Sequence, residues 1–174
     1  MTVKPAVALI GAGAMGGALL KGWLANGTID TARSAVLDPN IRDEMKALCE
    51  RHGVSVNAEG GSYDAMLIAV KPQAANDALP QYAKIAEGAV AISVMAGKSI
   101  AAISAALSGA KRIVRAMPNL PAAIGRGASG LYAPEAVEEK GRALAETLMR
   151  AAGEVVWVRS EQEIDFVTAI SGSG

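Results

Sequence analysis

Val7-Ala8-Leu9-Ile10-Gly11-Ala12-Gly13-Ala14-Met15-Gly16 is the stretch that decides how this chain folds. Four apolar residues of strand type run straight into Gly-x-Gly-x-x-Gly, and the residues from Met15 to Ala25 carry a helical pattern. Strand, glycine turn and helix in immediate succession open a unit suited to cradling a diphosphate. The glycines have separate tasks in such a unit. Gly11 permits the tight turn, Gly13 lets the backbone N–H groups of Ala12, Ala14 and Met15 approach a pyrophosphate, and Gly16 lets the helix sit close against the strand. The helix N-terminus then turns its partial positive charge towards the diphosphate. The plainer alternative is that the glycines serve only a tight strand-to-helix turn.

Beyond this unit, short apolar runs alternate with helical patterns, as expected when strands cross through helices into a parallel sheet. Strands are expected at Val7–Ile10, Ala35–Leu37, Ser55–Val56, Met66–Val70, Val90–Val94, Ile113–Ala116, Ser129–Tyr132 and Val155–Val158. Helices are expected at Met15–Ala25, Ile41–Arg51, Gln73–Ile85, Ile100–Leu107 and Glu135–Ala151, with Gly53 and Gly153 as stops and Pro80 kinking or splitting the third. The fold class is therefore α/β, a Rossmann-type doubly wound and mostly parallel sheet of about eight strands with helices on both faces. Residues 1–159 form this domain. Residues 160–174 begin another amphipathic pattern and stop at Ser171-Gly172-Ser173-Gly174, which suggests a truncated chain or a larger parent.

Composition narrows the partners. The 174 residues are 51% apolar, and seventeen basic side chains balance seventeen acidic ones. That balance supplies no field for nucleic acid or an anionic membrane, and the few aromatics, among them Trp23, Trp157 and Phe166, offer no stacking platform. No segment is long and apolar enough to span a bilayer. The stretch from Lys4 through Leu20 superficially resembles a secretory signal, but its glycines fit a strand and turn better. Cys49 and His52 are the single cysteine and histidine, so a His/Cys metal cluster cannot be assembled and a reducing, cytoplasmic setting is expected.

Asp38 ends the second strand roughly twenty residues beyond Gly16, where an acidic side chain accepts hydrogen bonds from an adenosine ribose diol and repels a 2′-phosphate. This favours NADH, while Asn40 and Arg42 stand ready for the phosphate of NADPH should Asp38 turn away. Capping a helix before Pro39 is the alternative role for Asp38. Three later loops lie at carboxyl ends of strands, where the nicotinamide half belongs. In Val70-Lys71-Pro72-Gln73, Pro72 fixes the exit direction and the backbone around Val70 faces the nicotinamide ribose, with Lys71 either functional or simply solvated. Ser93-Val94-Met95-Ala96-Gly97 offers in Ala96 and Gly97 a backbone that a ligand can approach, or only a turn. In Arg115-Ala116-Met117-Pro118-Asn119-Leu120-Pro121, two prolines stiffen a loop and the Asn119 carboxamide offers a donor and an acceptor to nicotinamide or substrate.

GAGAMG, AVKPQ, SVMAG, RAMPNLP and the closing DFVTAISGSG, in this order and spacing, make the whole chain resemble the N-terminal domain of pyrroline-5-carboxylate reductases. RAMPNLP and TAISGSG are the specific parts, since GAGAMG is shared with many dehydrogenases. The resemblance implies hydride transfer from NADPH or NADH to the imine carbon of 1-pyrroline-5-carboxylate, giving L-proline. It also implies that Met117, Pro118 and Asn119 flank the nicotinamide. Ser171, Gly172, Ser173 and Gly174 would begin a helix that binds the substrate carboxylate, unless they form a flexible tail. A helical C-terminal domain would complete the pocket and build a homodimer or higher oligomer, leaving the present chain weakly active or inactive by itself. Phe166, Val167 and Ile170 are expected on the surface that this domain covers. One departure is Asp38-Pro39-Asn40, where members favouring NADPH often carry a small polar and a basic residue.

Two rivals remain. One is another imine or β-hydroxyacid dehydrogenase, whose lysine general base would lie beyond this chain. The other is a non-catalytic NAD(P)-binding sensor. Turnover separates the sensor from an enzyme, and RAMPNLP with TAISGSG favours the imine reductase.

Overall fold

Alternation along β1 (Val7–Ile10) divides the molecule into two cores. Val7 and Leu9 point to one face of the sheet and Ala8 and Ile10 to the other, all of them buried. A strand buried on both faces must sit centrally in a sheet covered by helices on each side. The computed structural model, which describes residues 3–119 and 127–165, has this arrangement. After β1 come α1 (Ala14–Asn26), β2 (Ala35–Leu37), α2 (Asp43–His52), β3 (Ser55–Val56) and β4 (Ala65–Ile68). Then follow α3 (Ala75–Ala78), α4 (Ala83–Gly88), β5 (Val90–Ser93), α5 (Ile100–Ala106) and β6 (Ile113–Pro118). The series closes with β7 (Gly127–Tyr132), α6 (Glu139–Met149) and β8 (Gly153–Trp157). Residues 161–165 are again helical.

The strands lie in the order β3-β2-β1-β4-β5-β6-β7-β8. β1 to β6 are mutually parallel, β7 runs antiparallel to β6, and β8 is parallel to β7. This is the doubly wound Rossmann-type sheet that the alternating pattern predicts. The chain order reverses between β1 and β4, opening a crevice beyond their carboxyl ends. Helices α1, α2 and α6 pack on the face of Leu9, Leu67 and Ile92, whereas α3, α4 and α5 pack on the face of Ile10, Ile68 and Ile113. The second face is built largely from small side chains, Ala6, Ala8, Ala35, Ala89 and Ala91, which let its short helices come close.

Several expected boundaries shift, each for a local reason. β4 ends at Ile68 and not Val70, because Ala69 and Val70 bend beneath the glycine turn, where an added Gly11 Cβ would lie 3.0 Å from the Ala69 carbonyl oxygen. β5 ends one residue early, at Ser93, whose hydroxyl accepts from the Met95 N–H at 3.3 Å and begins the turn. The third helical stretch is divided into α3 and α4 by 3-10 turns at Pro72–Ala74 and Pro80–Tyr82, as a proline without an N–H requires. The last long helix starts at Glu139 and not Glu135, since the Arg142 guanidinium draws the carbonyls of Ala133, Pro134 and Val137 into a turn. Strand β6 is longer than expected, pairing with β7 as far as Pro118, and β7 and β8 each begin two residues early, at Gly127 and Gly153, which pair with each other. Gly53 closes α2 in the left-handed conformation at φ 72°. Among the described residues no helix is long and apolar enough to cross a membrane.

Trp23 locks the first face. Its side chain is fully buried, and its indole N–H donates to the Leu148 carbonyl at 2.8 Å, one of the carbonyls that the end of α6 leaves unpaired within the helix. Trp23→Phe removes the donor but keeps most of the apolar body. The expected loss is about 1–3 kcal/mol, the cost of a buried carbonyl left without a partner. A urea titration of both proteins checks this through the unfolding midpoint.

Candidate functional site

The glycine turn is held by its own backbone. Gly11 sits at φ +89°, which only glycine adopts freely, and its N–H donates to the Leu37 carbonyl at 3.1 Å. Gly16 touches the turn from above, where a Cβ would overlap the Gly11 carbonyl oxygen and crowd the Ala69 side chain. Gly13 differs from both. It has an ordinary φ of −69°, and an added Cβ would meet no protein atom within 4 Å. Packing demands glycine at 11 and 16, but nothing among the described residues demands it at 13. No side chain caps α1, and its first turn carries no acidic residue, so the backbone N–H groups at Ala14 and Met15 begin the helix without a side-chain acceptor among the described residues. Gly13 and Ala14 are exposed and Met15 is half-buried.

Asp38, just beyond β2, points into this turn. One carboxylate oxygen accepts from the Ala12 N–H at 2.9 Å, a donor expected to face a pyrophosphate and instead engaged within the protein, and the other accepts from the Asn40 N–H at 2.9 Å. Neither is the cap of α2 weighed from the sequence, since that position belongs to Arg42, which offers no side-chain hydrogen bond there. Asn57, just past β3, clasps the Asp38 backbone at both ends. Its Oδ1 accepts from the Asp38 N–H at 2.8 Å, and its Nδ2 donates to the Asp38 carbonyl at 3.0 Å. Asp38 is thus fixed in backbone and side chain, while Asn40 and Arg42 remain exposed beside it. Leu37, Pro39, Asn57, Tyr63 and Tyr82 line an open cleft of about 820 Å³ next to it. Burial, with a smaller contribution from the Asp38 charge, holds the Tyr82 phenol above its usual range.

The later loops gather at the same end of the sheet. Val70, Lys71 and Pro72 follow β4, Ala96 and Gly97 follow β5, and Met117, Pro118 and Asn119 end β6. Lys71 is exposed and Val70 half-buried, packed against the second core. Ala96 and Gly97 form an exposed turn, with Gly97 at φ +67° and open space around it. Asn119 closes the approach from β6 to β7. Its N–H donates to the Ala128 carbonyl at 3.1 Å, and its Oδ1 accepts from the Ala128 N–H at 3.0 Å. The expected carboxamide acceptor is therefore engaged within the protein, and among the described residues the Nδ2 donor meets no acceptor. Leu120, Pro121 and the carboxylate-binding candidates Ser171, Gly172, Ser173 and Gly174 lie outside the described residues, as do Phe166, Val167 and Ile170.

Sequence reasoning missed two residues that organise this end of the sheet. Asn57 carried no signal beyond its turn-forming type. Arg115 did carry one, being a cation within the buried run Ile113-Val114-Arg115-Ala116, and a buried charge implies opposite charges nearby. Its partners are Glu161 at 3.1 Å and Asp165 at 3.0 Å. Cys49 is buried with a free thiol that burial pushes up, so it is no nucleophile here. Among the described residues no group of three or more His, Cys, Asp or Glu side chains could hold a metal ion.

Residues 6–97 match the family model described as NADP oxidoreductase, coenzyme F420-dependent. The chain is 38% identical over 172 residues to the pyrroline-5-carboxylate reductase of Haemophilus influenzae, covering 96% of this chain and 62% of that protein. The solved pyrroline-5-carboxylate reductase of Coxiella burnetii superposes with a TM-score of 0.87 at 35% identity, covering 98% of this chain and 65% of that one. The pyrroline carboxylate reductase of Plasmodium falciparum, solved with NADP bound, gives a TM-score of 0.81 over 99% of this chain and 64% of its own, and at 22% identity it shows likeness of fold alone. The chain thus spans 62% to 65% of the length of these relatives.

The contrast between two glycines is open to a direct check. Gly16→Ala forces backbone against backbone and should lower stability by about 1–3 kcal/mol or more. Gly13→Ala places its methyl in open space at a helix N-cap and should cost no more than about 1 kcal/mol. Thermal unfolding of the two variants, without added ligand, reads the difference.

Proposed function

The chain belongs to the NADP oxidoreductase family whose model it matches and is similar to pyrroline-5-carboxylate reductases, and from that premise we propose that it is the nucleotide-binding part of an enzyme reducing the cyclic imine 1-pyrroline-5-carboxylate to L-proline. One observation carries the nucleotide half of this reading. Gly13 is a glycine that the protein's own packing does not need, set at the uncapped start of α1. A diphosphate seated there explains both features, because it needs close approach to the backbone and supplies acceptors for the uncapped N–H groups.

When bound, NAD(P)H supplies the hydride that passes from its nicotinamide to the imine carbon. The chain's residues bind and orient. Gly11 to Gly16 hold the diphosphate, and Asp38 stands at the adenosine ribose with lone pairs left on both carboxylate oxygens. The turns at Val70–Pro72, Ala96–Gly97 and Met117–Asn119 border the nicotinamide, where the Asn119 Nδ2 is free to donate. A protonated imine is already electrophilic, so alignment accounts for most of what the protein must contribute, and a catalytic acid need not lie in this chain. Residues 160–174 belong in this reading to a helical domain that binds the substrate carboxylate through Ser171 to Gly174 and joins subunits into a homodimer or larger assembly. A cytoplasmic setting, where Cys49 stays reduced, completes it.

NADH is the preferred nucleotide in this proposal. The Asp38 carboxylate is tied to the Ala12 and Asn40 N–H groups, so a 2′-phosphate arriving beside it meets a fixed negative charge. At a separation of about 4 Å that repulsion amounts to about 1–4 kcal/mol near a protein surface.

Calorimetric titration of the chain with NADH and NADPH tests the reading. NADH should bind more tightly, Gly13→Ala should abolish binding of both, and Asp38→Asn should narrow the difference by about tenfold or more, the equivalent of ~1.4 kcal/mol. Equal loss of neither nucleotide on Gly13→Ala would sink the diphosphate assignment. Consumption of reduced nucleotide with 1-pyrroline-5-carboxylate, by the chain and by any longer polypeptide containing it, then separates an imine reductase from a sensor.

A further inference from the structure

Arg115 is the one charged residue among the described residues that is buried, with 3% of its surface exposed. It lies in β6 beside Ser93, the last residue of β5, and so at the root of the turn that carries Ala96 and Gly97. Its guanidinium reaches out of the sheet to two carboxylates four residues apart on the helical segment 161–165. One terminal nitrogen donates to Glu161 Oε1 at 3.1 Å and the other to Asp165 Oδ1 at 3.0 Å. The same Glu161 oxygen accepts from the Ile100 backbone N–H at 2.7 Å, where α5 begins. One carboxylate oxygen therefore joins β6, the start of α5 and the segment beyond β8.

The geometry of the turn gives this junction its consequence. At its near end the turn is fastened by the Met95 N–H on the Ser93 hydroxyl, and at its far end by Ile100 on Glu161. Between them Ala96 and Gly97 are exposed, and Gly97 has no protein atom near the site of a Cβ. Gly97, Ser99, Arg115 and Asp165 line a common opening of about 330 Å³. Met95 is buried in the second core, whereas Ala96 and Gly97 beyond it are exposed, so their position is set by the segments on either side, and Arg115 fixes the far one through Glu161.

We propose that Arg115, with Glu161 and Asp165, is a positioning device for the nicotinamide half of the cofactor. It presents the Ala96–Gly97 turn in one place by clamping segment 161–165 against β6 and the start of α5. In this arrangement Arg115 acts through Glu161. This inference rests on the proposal that the chain binds NAD(P)H. It adds that the two halves of that site are held independently, the adenosine half by Asp38 and Asn57 and the nicotinamide half by this ion cluster.

The test compares two ligands on the same chain. ADP-ribose carries the adenosine and diphosphate but no nicotinamide, whereas NADH carries both and reports its ring environment by fluorescence. Glu161→Gln keeps an acceptor for Ile100 and removes the charge that Arg115 needs. It should leave ADP-ribose affinity within about twofold while weakening NADH about fivefold or more, with emission moving towards that of free NADH. Arg115→Met should do the same more strongly, and Arg115→Lys, which keeps the charge but lacks the two terminal nitrogens that reach the carboxylates separately, should fall between. If Arg115→Met fails to fold, Glu161→Gln and Asp165→Asn carry the comparison. Unchanged NADH affinity and emission overturn the proposal. So does a parallel fall for both ligands, which marks a merely structural ion pair. A wild-type chain that binds neither ligand overturns the nucleotide reading itself and this inference with it.

Discussion

Helix α1 can begin where it does only because Gly16 lies against the carbonyl of Gly11 with Ala69 directly beneath. That approach is closer than any side chain allows, and it sets the level at which the helix meets the sheet. From it follows the line of the crevice, because Ala69 and Val70 must bend under the turn and so end β4 early. The Leu37 carbonyl must likewise receive the Gly11 N–H, which brings Asp38 within reach of Ala12. Three strands are thus trimmed to a common edge by one contact between two glycines.

Along that edge polar groups are shared out in a consistent way. The Ala12 and Asn40 N–H groups are taken by the Asp38 carboxylate, and Asn57 repeats the arrangement on the backbone of Asp38. Further along, Asn119 and Glu161 accept from main-chain donors at the starts of β7 and α5. Short polar side chains acting as substitutes for missing strand or helix neighbours let loops remain open yet ordered, which is the condition for a preorganised site on a rigid scaffold.

What could be read from the sequence was whatever depends on near neighbours. The glycine unit, the β-branched runs and the break at Pro80 each follow from local chemistry, and the parallel sheet follows from their alternation. The start of α6 escaped because Arg142 takes carbonyls five to nine positions earlier, a preference no helical pattern reveals. The partners of Arg115 are 46 and 50 positions away and Asn57 is 19 from Asp38, so the type of residue was visible but its destination was not. The Asn119 oxygen was assigned outward, since only the antiparallel return of β7 brings the Ala128 N–H to meet it.

That return of β7 also divides the molecule by how its parts must assemble. β6 and β7 pair across a short connection, so closing them sacrifices little chain entropy. β1 and β4, by contrast, meet only after α1, β2, α2 and β3 have been passed, and their register is the one that brings Ala69 under the glycine turn. Contacts between residues distant in sequence slow the search for the native state. The crevice is therefore assembled from the costliest closure in the sheet, and a nascent chain holds its β6–β7 corner on easier terms than the edge on which a ligand would rest.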